Sequence, residues 1–146
     1  LLIVMGIFAI FFAFASLNLL GIRNKTSIGT SVDVLLSDLK TQQIKAMSGD
    51  ANYGADNDSF GIHFLTDSYI LFKGSYTPGD TNNFIVKLDD AGIDTTCPSG
   101  EILFKKISGE VNNFVPTGNT IKFSSNNSTD QKIITVNRLG TVTGVN

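Results

Sequence analysis

Residues 1–22, LLIVMGIFAIFFAFASLNLLGI, show no alternation at all: Ser16 and Asn18 are the only polar side chains, and Phe8, Phe11, Phe12 and Phe14 stand on an Ala, Ile and Leu background. A helix of that length spans roughly 33 Å, just enough to cross a hydrocarbon layer of about 30 Å. Beyond it the pattern acquires a helical beat. Ile28, Val32, Leu35, Leu36, Leu39 and Met47 recur at spacings near one turn, with Gln43 continuing the row, while Asp33, Ser37, Lys40, Thr41 and Lys45 occupy the other side. The pattern predicts an amphipathic helix over 23–49, closed by Ser48-Gly49-Asp50. Gly21 and Gly29 fall between the two apolar patterns, and each disfavours a helix interior by about 1 kcal/mol relative to Ala, so they predict a soft joint near 16–29.

From Asp50 to Ser59 the chain is a polar loop, and after it the period falls from 3.6 to 2. Apolar stretches at Phe60 to Leu65 and Tyr69 to Lys73 flank Thr66-Asp67-Ser68 and predict a hairpin. Phe84 to Leu88, Glu101 to Ile107, Thr120 to Ser124, Lys132 to Asn137 and Thr141 to Val145 follow as further strands, punctuated by Pro78-Gly79-Asp80, Pro98-Ser99-Gly100, Pro116-Thr117-Gly118, Asn126-Asn127 and Leu139-Gly140. The expected fold is α+β: a long N-terminal helix whose second half packs on an antiparallel sheet or small sandwich. The divisions are 1–22 for an apolar membrane or filament-core helix, 23–49 for the amphipathic helix and 50–146 for the β head. Within the second, Val32, Leu35, Leu36, Leu39 and Met47 are the expected helix–sheet packing residues.

Composition sharpens this picture. Only 16% of the 146 residues are charged, against roughly 25% in an average soluble domain, and every charged side chain lies after Ile22. An all-round apolar segment must be buried in lipid or in other copies of itself. Net charge is -2, and the lysines, among them Lys25, Lys40, Lys45, Lys105 and Lys106, form no dense basic run, so capture of nucleic acid is not indicated.

Candidate chemistry is sparse. The single Cys97 has no Cys or His at metal-ligand spacing and is expected to be a loop residue. His63, the only His, sits between Ile62 and Phe64 in a two-period stretch and is expected to point away from them as a structural strand residue. Asp50 and Asp56-Asn57-Asp58-Ser59 carry oxygen ligands but lack the glycine and terminal Glu of an EF-hand, and they are read as a solvated loop. Asn24, Asn57, Asn126 and Asn127 open short glycosylation-type triplets. No metal, cofactor or enzymatic activity is implied.

The opening LLIVMGIFAIFFAFASL resembles the N-terminal signature of type IV pilins and type II secretion pseudopilins, through Leu1, Leu2, Ile3, Val4, Gly6, Ile7, Ala9, Ile10, Ala13 and Ala15. In that family the cleavage-site Phe and a Glu would precede Leu1. The stretch Leu35 to Gly49 looks like the helix end of the H-type minor pseudopilins, and Phe60 to Phe64, Tyr69 to Gly74 and Thr135 to Gly140 loosely resemble that group's strands. The resemblance implies a subunit inserted in the cytoplasmic membrane and then assembled into a helical filament at the cell surface, with itself or with other pilins or pseudopilins as partners. Leu1, Leu2, Ile3, Val4, Ile7, Phe8, Ile10, Phe11, Phe12, Phe14 and Leu17 would then line the filament core. Two alternatives stand beside a major pilin. One is a minor pseudopilin of a secretion or DNA-uptake machine. The other is an exported or anchored β-domain binding module, for which Ala13-Phe14-Ala15 before Ser16 offers a signal-peptidase pattern.

Overall fold

The computed structural model describes residues 28–48 and 59–146. Residues 28–48 form one helix, α1, so the described part of the amphipathic helix expected over 23–49 is helical throughout. The β head contains eight strands: β1 (Phe60–Phe64), β2 (Ser68–Lys73), β3 (Phe84–Lys87), β4 (Ala91–Thr95), β5 (Glu101–Phe104), β6 (Thr120–Ser125), β7 (Gln131–Val136) and β8 (Val142–Val145). They make two antiparallel four-stranded sheets, ordered β3-β2-β1-β5 and β4-β6-β7-β8. The expected class, helix on antiparallel sheet, is therefore observed, with two sheets sharing one helix.

Alternation sets which side chains reach the helix. Register pairs Phe60 with Phe104 and Ile62 with both Leu71 and Ile102, so one face of the first sheet carries Phe60, Ile62, Phe64, Tyr69, Ile102 and Phe104. The second sheet contributes Ile93, Ile121, Phe123, Ile134 and Val136, all buried. Ile28, Val32, Leu35, Leu39 and Ala46 of α1 close the same core. Leu36 packs against it while remaining partly buried.

Met47 departs from expectation. It is half exposed, and its thioether lies against Gly109 rather than in the sheet core. At roughly 100° per residue, Met47 falls at the margin of the stripe whose centre runs through Leu35, Leu39, Gln42 and Ala46. Of the expected joint only its last two residues are described: Ile28 and Gly29 are helical, and a Cβ added at Gly29 would meet open space. Gly21 and the rest of 16–27 lie outside the described residues, as do the filament-core positions from Leu1 to Leu17.

Two strand expectations shift. Ala91–Thr95 reads AGIDT, a poor strand sequence, yet it forms β4 because Ala91 and Ile93 bury inward while Ile93 N–H donates to Thr66 O at 2.8 Å. The strand expected to run to Ile107 stops at Phe104. There Lys105 N–H turns to Glu110 O at 2.8 Å, and Ile107 adopts a left-handed φ of 70° while its N–H donates to Ala46 O at the end of α1.

Candidate functional site

Three features of the head stand apart from its apolar packing: two carry polar groups and one is an exposed apolar edge. The first is the seam between α1 and the sheets. Gln42 and Gln43 are buried on the helix face. Gln42 Nε2 donates to Gly61 O of β1 at 3.3 Å, whereas Gln43 Nε2 donates to Gly109 O at 3.0 Å and Leu139 O at 2.7 Å. Lys40 Nζ in turn donates to Gln43 Oε1 at 3.1 Å. Adjacent glutamines thus fasten the helix to β1, to the β5–β6 connection and to the β7–β8 turn. About one turn earlier on α1, Asp38 Oδ2 accepts from the Tyr69 hydroxyl of β2 at 2.7 Å. Burial lifts the Tyr69 phenol far above its ordinary range, and the Asp38 carboxylate, as hydrogen-bond acceptor and as a negative charge, pushes it the same way. Gly140 makes the seam possible: its φ of +73° suits glycine, and a Cβ there would lie 2.5 Å from Gln43 Nε2 and 2.7 Å from the Phe104 ring.

The second feature is the face of the first sheet turned away from α1. His63 points there, as alternation requires, opposite Ile62 and Phe64. Its ring stacks on Tyr76 from the β2–β3 connection, with centroids 3.9 Å apart and planes within 10°. Tyr76 also tilts against Phe72 at 5.6 Å, and Phe72 covers Gly61, where a Cβ would meet the Phe72 ring at 2.5 Å. His63 Nδ1 stands 3.8 Å from Glu101 Oε2 and makes no hydrogen bond. A general base needs the proton it removes within hydrogen-bond reach, and the neighbours of His63 are an aromatic ring and a carboxylate. The stack pins the β2–β3 connection to the sheet, in keeping with a structural strand residue.

The third feature is the edge strand β3. Phe84 is 65% exposed and Ile85 is 56% exposed. A shallow groove lined by Gln42, Lys45, Phe60, Leu71, Asn82 and Phe84 runs beside it on the helix side. The hydrophobic alternation that places Phe84 to Leu88 in a strand does not tell an edge from an interior position, so the sequence held no sign of this exposure.

Cys97 is a loop residue, as expected, in the bend after β4, and it is buried there; burial pushes its thiol up, away from the reactive thiolate. Among the described residues no cluster of three metal-ligating side chains occurs, and no helix is long and apolar enough to cross a membrane. The Asp50 and Asp56-Asn57-Asp58 oxygens fall outside the described residues. Compared with known proteins, the chain matches no family model, no curated protein and no solved structure.

Proposed function

We propose that the chain is a structural subunit of a type IV pilus-like filament, assembled through the apolar helix 1–22 and displaying the β head outward. One observation carries the reading: among the described residues the apolar face of α1 is taken up by the two sheets, while the sequence from Leu1 to Leu20 is apolar throughout except for Ser16 and Asn18. Such a segment needs lipid before assembly and like segments after it. Burial of ~1,000 Å² per subunit at about 25 cal/mol per Å² gives roughly 25 kcal/mol before ordering costs, ample to hold a fibre. The mechanism is burial, with no bond made or broken.

Electron microscopy of material sheared from cells producing the chain tests this. The parent is expected to yield fibres of helical symmetry, and Phe12→Asp is expected to abolish them while the head keeps its tyrosine near-ultraviolet circular dichroism. Fibres of normal abundance from Phe12→Asp would overturn the proposal, as would a mature chain whose sequence begins at Ser16. A few copies per cell instead of a dominant shear fraction would move the chain to the minor pseudopilin role.

A further inference from the structure

The two sheets have four edges, and the described residues close only two of them. Along β5, Asn112 N–H donates to Leu103 O at 2.7 Å, Asn113 Oδ1 accepts from Leu103 N–H at 3.3 Å, and Asn113 Nδ2 donates to Glu101 O at 2.8 Å. Along β4, the β1–β2 turn supplies Thr66 O to Ile93 N–H. No hydrogen bond among the described residues covers the far side of β3 or β8.

The ladders show which groups face out. Leu88 N–H donates to Asp67 O, and antiparallel alternation then turns the backbone groups of Val86 and Phe84 toward β2 and those of Ile85 and Lys87 outward. On the other sheet, Ile133 and Asn146 exchange both of their N–H···O bonds, at 2.7 and 3.1 Å, so the backbone groups of Val145 face outward. Val145 is itself 41% exposed beside these open groups. An edge with unpaired backbone groups is a template for another strand; short β3 carries one common guard, Lys87, and β8 carries no charged side chain.

The two open edges lie on opposite flanks. β3 stands three strands from β5, and the β7–β8 turn docks on the β5 side, where Val111 N–H donates to Arg138 O at 2.9 Å. Contact between two different edges is heterologous, and where its rotation does not close a ring it repeats along a line. We propose that β3 of one subunit adds antiparallel to β8 of a second copy of this chain, placing Ile85 opposite Val145, so that heads join edge to edge along the fibre.

Charge selects this pairing over β3 with β3. Lys87 is the only charged residue of β3, and residues 141–146 carry none. Two β3 strands would set two lysines on one strip and would close as a dimer, ending growth. The pairing rests on the filament reading: strands of four residues offer few bonds, and helices packed in a fibre supply the high effective concentration that makes them count.

The test uses full-length chains in sheared fibres. A hydrogen-bonded antiparallel pair sets Cα atoms about 5.5 Å apart, within disulfide range. Under mild oxidation, a chain carrying both Ile85→Cys and Val145→Cys is expected to give a ladder of dimers, trimers and larger species, absent from either single variant. Adding Lys87→Pro, which removes an outward N–H and leaves the β2 ladder intact, is expected to abolish the ladder. Fibres without a ladder overturn the pairing and leave the filament reading standing. Dimers from Ile85→Cys alone, or a ladder that survives Lys87→Pro, also overturn it. Absence of fibres from the parent removes both readings.

Discussion

Gln43→Leu tests whether the polar seam, and not apolar contact alone, secures α1 to the head. The substitution puts an apolar side chain one atom shorter in the same place and withdraws two N–H donors, from Gly109 O and Leu139 O. Gly109 is buried, so its carbonyl loses its partner where water does not replace it, a cost of ~1–3 kcal/mol. Leu139 is exposed, and water recovers most of the bond there, leaving less than ~1 kcal/mol. The expected loss is about 2–3 kcal/mol, a large part of the 5–15 kcal/mol that ordinarily holds a domain. Gln43→Glu is the sharper control. It preserves volume and the contact with Lys40 but sets a carboxylate against two carbonyl oxygens, so it is expected to destabilise at least as much as leucine. Guanidinium unfolding of the full chain in detergent, followed through its three tyrosines, gives both values from midpoints at constant slope. A Gln43→Leu variant within ~0.5 kcal/mol of the parent, or a Gln43→Glu variant more stable than it, would refute the reasoning.

Tyr69→Phe is expected to cost ~1–2 kcal/mol at neutral pH through loss of the bond to Asp38. The folded phenol titrates far above its unfolded value of about 10, so its contribution is full below pH about 10 and falls as pH rises beyond it; a parent-minus-variant stability difference that stays flat into strongly alkaline solution would contradict this. Gly29→Ala puts a methyl into open space within α1 and is expected to raise stability by up to ~1 kcal/mol, seen as a higher thermal midpoint, and a lowered midpoint would count against it.

The parts of the fold legible in the sequence are those where one periodicity dominates. Val32, Leu35 and Leu39 announce the buried face of α1, and Phe60, Ile62 and Phe64 announce the inner face of β1, because large apolar side chains at regular spacing have one place to go. The seam was not legible on those grounds. Gln42 falls in neither the apolar row nor the polar one as read from sequence, and the burial of both glutamines depends on carbonyls at Gly61, Gly109 and Leu139, up to 96 residues away in sequence. Gln43 did continue the apolar row, the one local sign that a polar side chain would be taken inside. β4 was hidden for the same reason: Gly92 and Asp94 disfavour a strand, and only β6 and Thr66, both distant, make Ala91–Thr95 one. Met47 shows the converse error, a large apolar side chain counted into a stripe whose centre it misses.

Apolar burial and polar seam have different consequences for assembly. Hydrophobic burial between α1 and the sheets fixes the helix only through shape, since apolar surface removed from water has no preferred partner atom. Hydrogen bonds are directional, and those of Gln42, Gln43 and Asp38 reach β1, β2, the β5–β6 connection and the β7–β8 turn from less than two turns of helix. A shift of α1 by one turn breaks all of them at once, so they fix one register of helix on head. Under the proposed filament reading, the apolar segment preceding α1 sets where a subunit sits in the core, and the seam converts that position into a single orientation of the head. A head free to rotate on its helix would present β3 and β8 at variable heights, and no repeating contact between subunits would form. The two buried glutamines thus do for orientation what the apolar helix does for cohesion.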